Sequence, residues 1–108
     1  HGGVLASIAE SITSMATATV VMRDGFMAQG LSNQTSFLRP VLGSRIDAVA
    51  TRRHRGRTTW VWEVDITDEQ GRLCSIIRMT IAVRPLPPEL AAAVREQAAQ
   101  VPNESPSA

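Results

Sequence analysis

The sequence has no lysine and no tyrosine, and its 108 residues include only one cysteine, Cys74, and four aromatic side chains. A single cysteine excludes an internal disulfide and is typical of a reducing compartment, so we expect a cytoplasmic protein. So few aromatic rings argue against a platform that stacks nucleic-acid bases. No apolar run approaches the roughly 20 residues of a membrane span, so no membrane association is expected. His, Cys, Asp and Glu do not occur at the spacing of metal ligands, and we expect neither a metal nor another cofactor.

Charge is almost balanced, since eleven arginines oppose ten acidic residues and leave a formal net charge of +1. This balance excludes a broad electrostatic attraction to nucleic acid or to an anionic membrane. The one dense basic cluster is the segment Arg52–Arg57, which holds four arginines and His54. Such a cluster indicates either a solvated turn or a phosphate site, because arginine forks match phosphate oxygens.

The first part of the chain is predicted to be one amphipathic helix over Val4–Met22, which Gly25 ends. The positions that recur on its apolar face are Leu5, Ile8, Ile12, Met15, Ala16 and Thr19. The opposite face carries small hydroxyls and a single charge, at Ser7, Glu10, Ser11, Ser14 and Thr17. A solvent-facing helix normally carries several charges, so we expect a neighbour to pack closely against this second face.

Residues 26–84 are predicted to form four antiparallel strands, at 26–39, 45–53, 58–67 and 73–83, with turns at 54–57 and 68–71. In the third strand the side chains that alternate onto one apolar face are Trp60, Trp62, Val64 and Ile66. The fourth strand alternates from Ile77 to Val83, and Ser75 departs from its pattern. Four strands with one apolar face can wrap a helix, which predicts an α+β fold.

The C-terminal part is set apart by prolines, which break the sheet after Arg84. A short Ala-rich helix is predicted over Pro88–Val101, and the tail Pro102–Ala108 is expected to be disordered. We therefore divide the chain into a helix-and-sheet domain over residues 1–86 and a C-terminal helix with its tail over residues 87–108.

The segment His1-Gly2-Gly3, followed in the helix by Glu10 and Ser14, resembles the active-site segment of hotdog-fold acyl-CoA thioesterases of the phenylacetate-pathway (PaaI-like) type. The resemblance continues through residues 34–40, 54–56 and 62–64 and covers roughly residues 1–84. Residues 68–74 are particularly similar to 1,4-dihydroxy-2-naphthoyl-CoA hydrolases and to thioesterases for mischarged aryl carriers. The family implies a hotdog fold, in which an antiparallel sheet wraps a long central helix. Its first strand precedes the HGG segment, and because this sequence begins at His1 that strand is expected to be missing.

The resemblance also implies a reaction, the hydrolysis of an aryl or medium acyl-CoA thioester to a free acid and CoA. The Gly2 N–H would polarise the thioester carbonyl, because backbone donors at a helix N-terminus suit a developing oxyanion. Glu10 would act as general base on water or as nucleophile, and the sequence leaves both roles open. Ser14, one helical turn later, would orient the carboxylate or a water, and His1 would shape the loop and contact the substrate.

Substrate binding is expected from Gly3 and from the basic cluster, since family members often hold the nucleotide end of CoA near this hairpin. The candidates there are Arg53, His54, Arg55 and Arg57. The family further implies a homodimer or homotetramer with active sites at the dimer interface, and no nucleic-acid partner. The alternatives are a hotdog dehydratase or isomerase on acyl carriers, and a non-catalytic hotdog module that binds acyl-CoA.

Overall fold

The protein is described here from a computed structural model, which covers residues 2–100, except the side chain of Ala98. The structured elements follow one another along the chain. They are helix α1 (Gly2–Val21) with a 3-10 turn (Met22–Asp24), strands β1 (Phe26–Phe37), β2 (Ile46–Arg55), β3 (Thr59–Asp68) and β4 (Leu73–Pro85), and helix α2 (Pro88–Gln100). The tail predicted to be disordered lies outside the described residues.

The four strands form one antiparallel sheet in the order β1-β4-β3-β2, and α1 packs across one of its faces. The predicted α+β hotdog arrangement is therefore confirmed. Helix α1 runs from the end of the sheet where β1 finishes to the end where β1 starts. Strands β1 and β2 are the two edges of the described sheet.

The core lies between α1 and the two central strands. Val64 and Ile66 of β3 and Ile77 and Met79 of β4 are fully buried against Ala9. A second cluster joins Trp60 to Val21 and Val83 near the C-terminal end of α1. The predicted alternation along β3 is confirmed, since the burial of an apolar face drives it.

Ser75 was predicted to depart from the alternating pattern of β4, but in the structure it follows that pattern. It is fully buried in the same alternating series as Ile77, Met79 and Ile81. Within the described residues its hydroxyl has no hydrogen-bond partner. The strand geometry thus overrides the polar character of this residue.

The inner face of α1 differs from the prediction in part. Leu5 and Ile12 pack against the core as predicted, but the buried residues of the helix are Ala9, Thr13, Thr17 and Val21. Thr13 donates a 2.8 Å hydrogen bond to the Ala9 carbonyl and Thr17 one of 2.8 Å to the Thr13 carbonyl. These bonds satisfy the hydroxyls inside the core, so threonine can be buried there. Met15, predicted to face the core, is 69% exposed.

Two boundaries also need correction. His54 and Arg55, predicted in a turn, are the last residues of β2, and the turn is confined to residues 56–58. The prediction for Gly25 is confirmed, since it has φ 84° and its N–H donates to the Met22 carbonyl at 3.1 Å.

Helix α1 with its 3-10 turn is long and apolar enough, by length and composition, to cross a membrane. A search for uninterrupted apolar runs does not detect this helix, because serines and threonines interrupt the apolar residues without adding charge. The core helix of a soluble protein passes the same test, and here α1 buries one face on the sheet.

The turn between β3 and β4 is held together by Asp68, whose side chain is fully buried. Its carboxylate accepts hydrogen bonds from the backbone N–H groups of Gln70 and Arg72 and from the Arg72 guanidinium, at 2.9–3.1 Å. Gly71 completes the predicted turn with φ 77°. Burial alone would raise the pKa of Asp68, but the hydrogen bonds from Arg72 and Gln70 outweigh it and lower the pKa to about 2.

We expect Asp68→Asn to destabilise the fold at neutral pH, because the charge that holds Arg72 is lost. A carboxylate with a lowered pKa stabilises the fold above its ordinary pKa, and this contribution is lost as the pH falls toward the folded value. The stability difference between wild type and variant should therefore be constant above pH 5 and shrink between pH 4 and about 2. Urea unfolding across this range measures it, with exposed Asp65→Asn as control. A difference that does not depend on pH would contradict the assignment.

Candidate active site

The N-terminus of α1 meets the end of β1, where Gly2 is the first residue of the helix. Backbone N–H groups in the first turn of a helix have no acceptor within the helix. The Phe37 ring lies over Gly2 so closely that a Cβ atom there would be 2.7 Å from Phe37 Cε1. A glycine therefore lets the aromatic ring approach the start of the helix.

A groove of about 840 Å³ opens at this place. Its walls are the first turns of α1 and the segment that follows β1. The residues that line it are Gly2, Val4, Leu5, Ile8, Phe37, Leu38, Arg39, Pro40, Val41 and Ile46. All but Arg39 are apolar or glycine, so the groove suits an apolar group brought to the helix N-terminus.

Glu10 lies on a different flank of α1, beside the edge strand β1. A Cβ at Gly30 would be 3.8 Å from Glu10 Oε1, and the register of β1 shifts directly after Gly30. Nearby, Asn33 Nδ2 donates to the Ala6 carbonyl at 3.0 Å and ties the strand to the helix. Glu10 is exposed in the single chain and Ser14, one turn later, is half-buried.

Gly2 and Glu10 are eight residues apart on one helix, which is about 12 Å along its axis. Glu10 does not line the groove at Gly2, so the two predicted catalytic groups of one chain border different surfaces of α1. His1 lies outside the described residues.

A second, shallow cleft of about 540 Å³ runs along the outer side of α1. It is lined by Gly3, Val4, Ser7, Ile8, Ser11 and Ile12. Gly3, a predicted binding residue, borders this cleft and does not line the groove at Gly2. The small hydroxyls at Ser7 and Ser11 are exposed, whereas Thr17, predicted on the same face, is buried against the sheet.

The basic cluster lies at the opposite end of the sheet, beside the C-terminus of α1. A cavity of about 880 Å³ there is bordered by Arg55, Arg57 and Arg84 together with Trp60 and Asp24. From Gly2 to Val21 the helix rises by about 28 Å, which separates this cavity from the apolar groove. One chain therefore places the predicted nucleotide-binding residues far from its own Gly2.

The arginines of the cluster have different partners. A register shift between Arg52 and His54 marks a bulge at Arg53, whose Nε pairs with Glu63 Oε1 at 3.0 Å. Arg52 and Arg55 each place their guanidinium carbon 5.0 Å from the centre of the Trp60 ring. Such cation–π contacts favour a guanidinium positioned over the face of the ring.

Some site residues were missed by the sequence analysis. Residues 37–40 were noted only as the end of the first strand and within the resemblance, and Val41 was not noted, yet together they form a wall of the groove. The signal in the sequence is a pair of apolar residues, Phe37 and Leu38, shortly before Pro40, and both are exposed. Arg52 and Trp60 form a stack that only the register of β2 with β3 reveals.

The sequence comparisons agree with this architecture. Residues 1–75 match the model of the thioesterase superfamily. The chain is 39% identical over 83 residues to the proofreading thioesterase EntH of Cronobacter turicensis, which covers 77% of this chain and 60% of that protein.

Solved structures of thioesterases are also similar to this chain. A thioesterase from Haemophilus influenzae is 37% identical with a TM-score of 0.73, covering 80% of this chain and 59% of the other. A mutant thioesterase from Pseudomonas aeruginosa is 38% identical with a TM-score of 0.76, covering 80% and 62%. The chain spans 59% of the length of the first curated relatives it matches. From the matched residues and the shared fold, this chain belongs to the thioesterase superfamily.

Proposed function

We propose that the protein hydrolyses acyl-CoA thioesters with an aryl or medium acyl group, releasing the free acid and CoA. The observation that carries this proposal is the glycine helix start on an apolar groove, in a chain of the thioesterase superfamily. The groove offers apolar walls for the acyl group, and the helix start offers N–H donors for its carbonyl. No metal or cofactor enters the reaction, and we place the activity in the cytoplasm.

In this mechanism the Gly2 N–H donates a hydrogen bond to the thioester oxygen, and negative charge develops there as the carbonyl carbon is attacked. Glu10 either takes a proton from the attacking water or attacks the carbon itself to form an anhydride that water then cleaves. The C–S bond breaks in both cases and CoA leaves as a thiol after it takes up a proton. Ser14 is on the same helical face as Glu10 and would orient the carboxylate or the water.

We further propose that each active site is built from two chains. Gly2 and Glu10 of one chain are about 12 Å apart along the helix, whereas a partner helix that runs antiparallel can bring its own Glu10 to the groove. Strand β1 is a sheet edge next to Glu10, and a second copy paired there would cover that carboxylate. This assembly, a homodimer or a pair of them, also explains why small hydroxyls line the outer side of α1.

The nucleotide end of CoA would bind at the basic cluster, with His54 as a further contact, and Gly3 would contact the substrate at the start of α1. Arg55 is fixed by Trp60 and Arg57 borders the same cavity, so both present N–H groups to phosphate oxygens. Arg53 is engaged by Glu63 and is the weaker candidate. Because the helix separates this cavity from Gly2 of the same chain, we assign it to the CoA held in the partner's groove.

Glu10→Gln should retain the fold and reduce kcat on an aryl-CoA at least about a hundredfold, because the amide neither accepts the proton nor attacks. Continuous release of CoA measures turnover, and circular dichroism and light scattering check fold and assembly. Ser14→Ala should cost less, since Ser14 only orients the carboxylate. Near-normal turnover by a folded Glu10→Gln protein would remove Glu10 from the mechanism, whereas no turnover by wild type would favour an acyl-binding module or another reaction.

Mixed dimers test the two-chain site. Gly2→Pro removes the backbone donor at a position where helices tolerate proline, and the exposed Phe37 ring has room to turn aside. Each variant alone, Gly2→Pro or Glu10→Gln, should be nearly inactive. Co-expression should restore about a quarter of the wild-type activity, because half of the dimers are mixed and each of these has one intact site. Mixed dimers seen by native mass spectrometry that remain inactive would place both groups in one chain.

Replacing Arg55 and Arg57 by alanine should raise KM for acyl-CoA on the order of tenfold, less at high salt, because charge-assisted phosphate contacts are lost. The KM for the matching pantetheine thioester, which lacks the nucleotide, should stay within about twofold. Arg95→Ala on α2 serves as the matched control. Equal changes for the two substrates would exclude the basic cluster from the CoA site.

A further inference from the structure

The segment between β1 and β2, residues 38–45, forms the outer wall of the apolar groove through Leu38, Arg39, Pro40 and Val41. It belongs to neither a helix nor a strand, so its position depends on what ties it to the rest of the molecule. The structure shows one tie at each end of the segment.

The first tie is made by the backbone of β4. The N–H groups of Leu38 and Arg39 both donate to the Cys74 carbonyl, at 2.8 and 3.3 Å. The buried Cys74 thiol lies 3.8 Å from the Pro40 carbonyl. This end is an extension of the sheet, and side-chain substitutions do not remove its hydrogen bonds.

The second tie is a side chain. Glu69 Oε1 accepts hydrogen bonds from both the Ser44 N–H at 2.9 Å and the Ser44 hydroxyl at 3.0 Å. The Ser44 N–H and hydroxyl also lower the pKa of Glu69, so the carboxylate stays charged at neutral pH.

Gly43 lets the carboxylate come this close. Its φ is 94°, and a Cβ there would be 2.6 Å from Glu69 Cδ. Glu69 itself sits on the turn that the buried Asp68 holds together, so it reaches the segment from a rigid base.

We propose that Glu69 is a positioning residue that sets the width of the acyl groove and thereby the size of the acyl group accepted. This inference rests on the proposed thioesterase activity and assigns a specificity role to a residue that touches neither Gly2 nor Glu10. When the carboxylate is removed, residues 41–45 are released, and Val41, the wall residue among them, moves away from the helix. A large acyl group then loses contacts that a two-carbon acyl group never makes.

The test compares Glu69→Ala with Glu69→Gln, which keeps a side-chain oxygen for the two Ser44 donors, and with Glu96→Ala on the exposed face of α2 as control. We measure kcat and KM for benzoyl-CoA and acetyl-CoA. Glu69→Ala should raise KM for benzoyl-CoA about fivefold, the scale of one exposed charged contact, and leave kcat and both acetyl-CoA constants within twofold. Glu69→Gln should stay near wild type. Equal losses on both substrates, or no loss on either, would overturn the proposal.

Hydrogen exchange separates this inference from the proposed function. Amides of residues 41–45 should exchange faster in Glu69→Ala than in Glu96→Ala, while those of β3 stay protected. Unchanged exchange would overturn the tie itself. If wild type hydrolyses no acyl-CoA, the proposed function fails and the specificity role with it, and faster exchange would then leave Glu69 as a structural contact only.

Discussion

The packing of α1 on the two central strands is the constraint on which the rest of the structure depends. The inner face of the helix is made of small residues, Ala9, Thr13 and Thr17, and this lets the helix lie close to the sheet. Trp62 Nε1 donates to Thr17 Oγ1 at 3.0 Å and thereby fixes the rotation of the helix about its axis. That rotation decides that Gly2 borders the groove and that Glu10 faces the edge strand. A helix rotated about its axis would move Gly2 away from the groove and Glu10 away from the edge strand.

The rotation of α1 is also the main feature of the fold that the sequence did not predict. Element order, the apolar face of β3 and the turn at Gly71 follow from alternation and turn chemistry, which are local properties. The inner face of α1 does not, because threonine counts as polar in a periodicity and becomes a core residue only when its hydroxyl bonds to the preceding turn. Ser75 was misjudged for a related reason, since strand geometry buries it whatever its polarity.

The candidate site shows a similar division. A helix that starts at two glycines and carries Glu10 two turns later can be read directly along the chain. The groove cannot, because its walls come from α1 and from a segment beyond β1 that only the tertiary fold brings together. The tie between Glu69 and Ser44 spans 25 positions and has no local signature. The basic cluster was found by composition, but its distance from Gly2 became evident only when the helix length and the sheet register were combined.

The tryptophan pair of β3 gives the molecule an optical property. Trp60 and Trp62 are the only tryptophans, and their ring centres are 6.2 Å apart. With no tyrosine in the chain, near-ultraviolet fluorescence comes almost entirely from this one place. Because Arg52 and Arg55 lie over the Trp60 ring, an anion that draws these guanidiniums away would change the emission, whereas an acyl group in the distant apolar groove would leave it unchanged. For CoA bound as proposed, the tryptophan pair reports on the nucleotide end and not on the acyl end.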